Sequence, residues 1–156
     1  MIIKPRSAWG ARPAKSVTAM PWARVRYNVL HWPGHRSPIA LTDQAVAAAI
    51  RSWQAYHQNT QGWSDLAYNH IVDQRGVAWE GRGFRRQDGS VKDMGGQVYS
   101  VLLADGTGAE PTPEAKRTIL ALFAMADGLA GRTLAKRFHG QLASTDCAGP
   151  GPNRWA

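Results

Sequence analysis

The sequence predicts an α/β fold, classed as α+β in some schemes, with a central mixed β-sheet covered by helices. Three observations carry this expectation. Short runs rich in β-branched and aromatic residues alternate with two stretches of helical period. One pair of runs is joined tightly enough for an antiparallel hairpin. The order strand, helix, hairpin, strand, helix and loop calls for both parallel and antiparallel pairs.

Each element has its own justification. Residues 25–32 (VRYNVLHW) are short, apolar and closed by Pro33-Gly34, which reads as a buried strand with His31 at its carboxyl end, where open sheets bind ligands. From Thr42, a plausible N-cap, the period changes: Val46, Ile50, Trp53 and His57 share one helical face and Gly62 follows the end. Residues 68–73 and 77–80 flank Gln74-Arg75-Gly76 as a hairpin whose glycine supplies the positive φ angle. Residues 97–104 (QVYSVLLA) form a third apolar run ended by Asp105-Gly106. Thr112-Pro113-Glu114 then combines an N-cap, a first-turn proline and an acid. Ile119, Leu122, Phe123, Ala126 and Leu129 form the stripe of this second helix, and Gly131 stops it. Beyond His139 the chain is rich in Gly, Pro, Ser and Asn and reads as irregular loop.

A length of 156 residues with 44% hydrophobic and 19% charged residues fits a single domain over 1–156 and excludes a disordered chain, a collagen-like fibre and a coiled coil. The most apolar stretch, residues 119–130, is interrupted by Asp127 and falls short of the roughly 18 residues a membrane span needs, so no membrane insertion is expected. Pro5 and Arg6 precede any apolar core of a Sec-type signal peptide. A net charge of +8 predicts a polyanionic partner, either nucleic acid or an anionic cell surface. Seven tryptophans favour a ligand groove, since aromatic faces stack on bases and on sugars alike.

Cys147 is the sole cysteine, so no internal disulfide forms and its thiol is a core group, a nucleophile or a metal ligand. A catalytic zinc site takes three N, S or O ligands and keeps a fourth position for water. His139 and Cys147 flank a glycine-containing loop that can turn both inward, but on spacing alone a lone cysteine is more often a small core residue, and His31 alone is more often a satisfied core histidine.

Five segments in order change that balance: Ser7-Ala8-Trp9-Gly10-Ala11, Val29-Leu30-His31, Gly62-Trp63-Ser64-Asp65-Leu66-Ala67-Tyr68-Asn69, Glu80-Gly81-Arg82-Gly83, and residues 139–147. Together they resemble the zinc-dependent N-acetylmuramoyl-L-alanine amidases of the type 2 family, which includes phage lysozymes with amidase activity and the peptidoglycan recognition proteins. His31-Trp32-Pro33-Gly34 further resembles endolysin amidase domains of actinobacterial phages.

The resemblance implies that His31, His139 and Cys147 hold Zn²⁺ at one edge of the sheet, in a surface groove. It implies that Tyr68 is the catalytic tyrosine and that Thr145 stands where some members place a lysine, so a neutral hydroxyl replaces an ammonium. His57, Trp63 and Arg82 are candidate substrate contacts, with a core histidine, a core tryptophan and a structural ion pair as their bland alternatives. His70, two residues after Tyr68, is expected on the same face of the strand and is not read as a ligand; His35 reads as surface. The chemistry agrees with the name. A lactyl–alanine amide needs both a nucleophile and oxyanion stabilisation, and zinc with two neutral imidazoles and one thiolate supplies both.

The chain departs from the pattern twice. Cys147 is followed by Ala148-Gly149-Pro150 where relatives carry Pro-Gly, and residues 91–97 (VKDMGGQ) lack the histidine of a Gly-Ala-His segment. The implied function is cell-wall lysis by hydrolysis of the bond between N-acetylmuramic acid and L-alanine in peptidoglycan, by a monomer. The implied setting is that of a phage lysin, made in the host cytoplasm without a signal peptide and acting on the wall after release, this domain belonging to a longer endolysin in some relatives. The alternative is a non-catalytic peptidoglycan-binding module, whose usual sign, loss of the metal cysteine, is absent. A nucleic-acid binder finds no support beyond charge and tryptophan count.

Overall fold

The expected apolar runs pair into one six-stranded mixed sheet in a computed structural model that describes residues 1–33, 39, 41–105 and 110–143. Thr145, Cys147 and His35 lie outside the described residues. The strands are β1 (Ile3–Lys4), β2 (Tyr27–His31), β3 (His70–Asp73), β4 (Ala78–Glu80), β5 (Val98–Ala104) and β6 (Ala135–Phe138), in the order β1-β4-β3-β5-β2-β6. β2 runs parallel to β5 on one side and to β6 on the other, β3 runs parallel to β5, and only β3 and β4 pair antiparallel, as the predicted hairpin.

Two helices cover the two faces. In α1 (Asp43–Ala55) the Thr42 hydroxyl accepts from the Ala45 N–H at 3.1 Å, and in α2 (Pro113–Ala130) Thr112 caps Ala115 at the same distance, as expected of both residues. Gly131 ends α2 with φ +70°. The alternation of strand side chains sorts the core. Leu30, Val72, Tyr99, Val101 and Leu103 pack with Ile119, Leu122 and Phe123 of α2, whereas Ile71 and Leu102 pack with Val46 and Ile50 of α1 and with Trp9 and Trp79. Because Leu30 faces α2, His31 faces α1. This parity decides which side of the sheet can carry the site.

Several expectations need correction. Leu129 is 49% exposed, because at 3.6 residues per turn it lies on the rim of the α2 stripe centred on Ile119, Phe123 and Ala126. β1 and β6 have no counterpart in the sequence reading; both are short, and the Lys136 and Arg137 of edge strand β6 are exposed rather than alternating with core residues. Tyr68 precedes β3 instead of opening it. It therefore does not share a face with His70, which packs against Phe84 and Tyr99 on the α2 side, while Tyr68 packs on the α1 side. Burial pushes the His70 imidazole down to about 3, and its Nδ1 is satisfied by the Tyr99 hydroxyl at 2.8 Å.

The turn after β4 is locked onto the segment preceding β3. Gly81 N–H donates to the Asn69 carbonyl and Arg82 N–H to the Tyr68 carbonyl, at 2.9 and 2.8 Å. A Cβ at Gly81 would stand 2.3 Å from the Tyr68 carbonyl oxygen, a backbone atom held in place by the Arg82 N–H. Gly81→Ala is accordingly expected to cost about 1–3 kcal/mol of stability through overpacking. A urea unfolding midpoint equal to that of the parent protein would refute this account of the turn.

Candidate active site

The carboxyl ends of β2 and β6 bring two histidines together. His31 is the last residue of β2 and is 1% exposed, and His139 begins the turn that follows β6. Their ring centroids lie 4.5 Å apart. Tyr68 enters from the segment before β3, with its ring 5.3 Å from that of His31 and 5.8 Å from that of His57. The continuation of α1 as a single π-type turn, Tyr56–Thr60, supplies His57, whose Nδ1 accepts from the Ala67 N–H at 3.1 Å. The site thus draws on two parallel strands, a helix end and the loop leading into the hairpin, elements far apart in sequence.

Protonation follows burial. Burial holds His31 well below the usual imidazole range and the neighbouring His139 lowers it further; His139 is itself lowered by burial. His57 falls to about 4, chiefly through burial and then through the Arg82 guanidinium. At neutral pH these rings are therefore uncharged and offer lone pairs, the state a metal ligand requires.

The donor set fits a borderline metal ion. The Nδ1 of His139 is buried without a hydrogen-bond partner among the described residues, a cost of about 1–3 kcal/mol for a lone polar atom unless something binds it. Among the described residues no three His, Cys, Asp or Glu side chains form a metal cage; the third candidate ligand, Cys147, lies outside them, as does Thr145.

Beside the histidine pair a groove of about 430 Å³ is lined by Pro33, Ser52, Trp53, Tyr56, His57, Tyr68 and Leu102. Trp63, 41% exposed, stands with its ring 4.8 Å from that of His57. Arg82 is not brought to this groove. Its Nε donates to the Leu66 carbonyl at 2.6 Å and its Nη1 to the Gln87 carbonyl at 3.0 Å, so it braces two loops, a role that no local spacing announces. Sequence reasoning passed over Tyr56 and Ser52, although their spacing from Trp53 and His57 along one helix carried the signal. It also passed over Asp88 and Ser90, in the connection from β4 to β5. Ser90 Oγ lies 2.8 Å from His31 Nε2 and equally close to the Asp88 carboxylate.

The fold that presents these groups is that of the peptidoglycan recognition proteins. Wild-type Drosophila PGRP-LB superposes with a TM-score of 0.84 at 22% sequence identity, covering 95% of this chain and 88% of that one. Human PGRP-IBETAC, solved in complex with glycosamyl muramyl pentapeptide, gives 0.81 at 24% identity over 96% of this chain and 90% of its own. Among curated proteins, human N-acetylmuramoyl-L-alanine amidase is 32% identical over 151 residues, 94% of this chain and 26% of its own length. The pig protein of that name is also 32% identical, over 155 residues. Peptidoglycan-recognition protein SC2 of Drosophila simulans is 26% identical over 154 residues, 80% of its length. This chain spans about a quarter of the length of the two amidases. No protein-family model matches it. No helix among the described residues is long and apolar enough to cross a membrane.

Proposed function

We propose that this chain is a peptidoglycan-directed domain of the type 2 amidase and recognition-protein family and, more finely, a zinc-dependent N-acetylmuramoyl-L-alanine amidase. The observation that carries the reading is the pairing of the buried, neutral His31 imidazole with that of His139, whose Nδ1 has no partner among the described residues, next to the ring of Tyr68 and beside an aromatic groove. The amidase and recognition-protein relatives support it.

His31, His139 and Cys147 would hold Zn²⁺, which when bound supplies Lewis acidity toward the scissile carbonyl and an activated water at neutral pH. Burial keeps His31 and His139 from protonating and so keeps them competent as ligands. Tyr68 contributes a phenol whose hydrogen bond to the developing oxyanion strengthens as charge accumulates there. Thr145 contributes a neutral hydroxyl that orients the substrate. In the groove, His57 is fixed by the Ala67 N–H as a neutral ring protonated at Nε2, a donor for a peptide carbonyl, and Trp63 offers a face for a sugar or stem-peptide side chain. The net charge of +8 draws the protein to an anionic wall, an attraction that salt screens.

Mass spectrometry of purified peptidoglycan after incubation tests the reaction. Free L-alanine amino termini with intact glycan chains are the expected product. Retention of the protein on peptidoglycan with no new termini would favour the non-catalytic binding module. The still finer reading, an endolysin domain of an actinobacterial phage, rests on His31-Trp32-Pro33-Gly34, and the same digest on actinobacterial wall addresses it.

A further inference from the structure

We propose that Asp88 and Ser90 form a hydrogen-bond relay that fixes the tautomer and orientation of His31, making both of them positioning residues of the metal centre. The inference rests on His31 being a zinc ligand, as proposed above.

The connection from β4 to β5 folds back on Asp88, which is 4% exposed. One carboxylate oxygen accepts from the Ser90 N–H at 2.8 Å and from the Val91 N–H at 3.3 Å. Ser90 Oγ lies 2.8 Å from both carboxylate oxygens, and the Ser100 hydroxyl donates to Oδ1. Burial pushes the Asp88 carboxyl up, and the Ser100 and Ser90 hydroxyls, the Ser90 amide and the Arg82 guanidinium only partly offset that shift.

The direction of the chain then follows from proton counting. Ser90 Oγ has one proton and two neighbours, the Asp88 carboxylate and His31 Nε2, the latter at 2.8 Å. The Ser90 and Val91 N–H groups already donate to one oxygen of this carboxylate and the Ser100 hydroxyl to the other, so both oxygens act as acceptors, the Ser90 hydroxyl proton also goes to Asp88, and the Oγ lone pair accepts from His31 Nε2–H. The neutral ring then bears its proton on Nε2 and its lone pair on Nδ1. This is the logic by which a carboxylate behind a metal-binding histidine fixes its tautomer and raises its basicity, here carried through an intervening hydroxyl.

The relay is anchored to the strand pair that it serves. Ser100 on β5 stands opposite Val29 on β2, two residues before His31, so carboxylate and imidazole are referred to one rigid ladder. A purely structural Asp88 would need only the amides of Ser90 and Val91 to close its turn. The contact between Ser90 Oγ and the imidazole is what that simpler role leaves unexplained.

The test is zinc affinity, measured by competition with a chromophoric chelator. Ser90→Ala should weaken zinc about 10–100-fold, with the unfolding temperature of the metal-free protein unchanged, and Ser90→Thr, which keeps the hydroxyl, should restore most of the loss. Parent protein that binds no zinc would refute the ligand set itself, whereas normal zinc in the parent and equal affinity in Ser90→Ala would refute the relay alone. A second readout requires neither metal nor variant. Proton–nitrogen correlation spectra of metal-free parent protein should show His31 protonated at Nε2, and protonation at Nδ1 would overturn the proposal.

Discussion

Tyr68→Phe is expected to leave the fold and the zinc content intact and to lower amide hydrolysis about 100-fold or more. The ring is half-buried, packed on the α1 side of the sheet and in contact with the rings of His31 and His57, and phenylalanine keeps all of that packing. Only the hydroxyl is removed. In the proposed reaction its hydrogen bond to the oxyanion strengthens as the transition state is approached, so its loss falls on turnover more than on substrate binding. The measurement is the rate of appearance of L-alanine amino termini at saturating peptidoglycan, alongside zinc content and the melting temperature. Turnover within a few-fold of the parent, in a zinc-loaded variant, would make Tyr68 a packing residue.

What the sequence disclosed about this site depended on the range of the signal. The caps Thr42 and Thr112, the hairpin at Gly76 and the core strands β2 and β5 are written in local period and turn chemistry, and they appear where expected. His31 at the end of β2 was legible for the same reason, because an apolar run followed in the sequence by Pro33-Gly34 sets its last residue at the carboxyl end of the strand. Short β6 was invisible because Ala135-Lys136-Arg137-Phe138 has too little apolar pattern, so the position of His139 beside His31 was expected from the family resemblance and not from any local pattern. Tyr68 reads from the sequence as the first residue of a hairpin arm running to Asp73. The chain there is instead held by the Asn69 side chain, which donates to the Gly83 and Arg86 carbonyls. Arg82 and Ser90 illustrate the general limit. Asp88-Gly89-Ser90 announces a turn, but that Ser90 meets an imidazole 59 residues away, and that Arg82 is consumed by backbone carbonyls, are consequences of tertiary packing that no local spacing encodes.

Removing zinc should separate the two functions that the fold can serve. Exhaustive chelation is expected to abolish hydrolysis, a loss of about 1,000-fold or more, because Lewis acidity and nucleophile activation together are worth several kcal/mol and each 1.4 kcal/mol is about tenfold. Retention of the protein on insoluble peptidoglycan should largely survive, since the groove of Trp53, Tyr56 and His57 is built by α1 and its terminal turn and not by the histidine pair. The metal-free protein should also melt earlier. The His139 Nδ1 is left without a partner among the described residues, and a ligand that binds only the folded state adds about 2.7 kcal/mol at a hundred times its dissociation constant. Added zinc should restore activity and melting temperature together in the parent, whereas Cys147→Ser should recover neither at the same free zinc, because a serine hydroxyl stays protonated where a thiolate would bind. Hydrolysis that persists after zinc is verified absent would exclude the metal mechanism. A zinc-loaded protein that binds peptidoglycan and never cuts it would leave His31, His139 and Tyr68 as parts of a recognition surface.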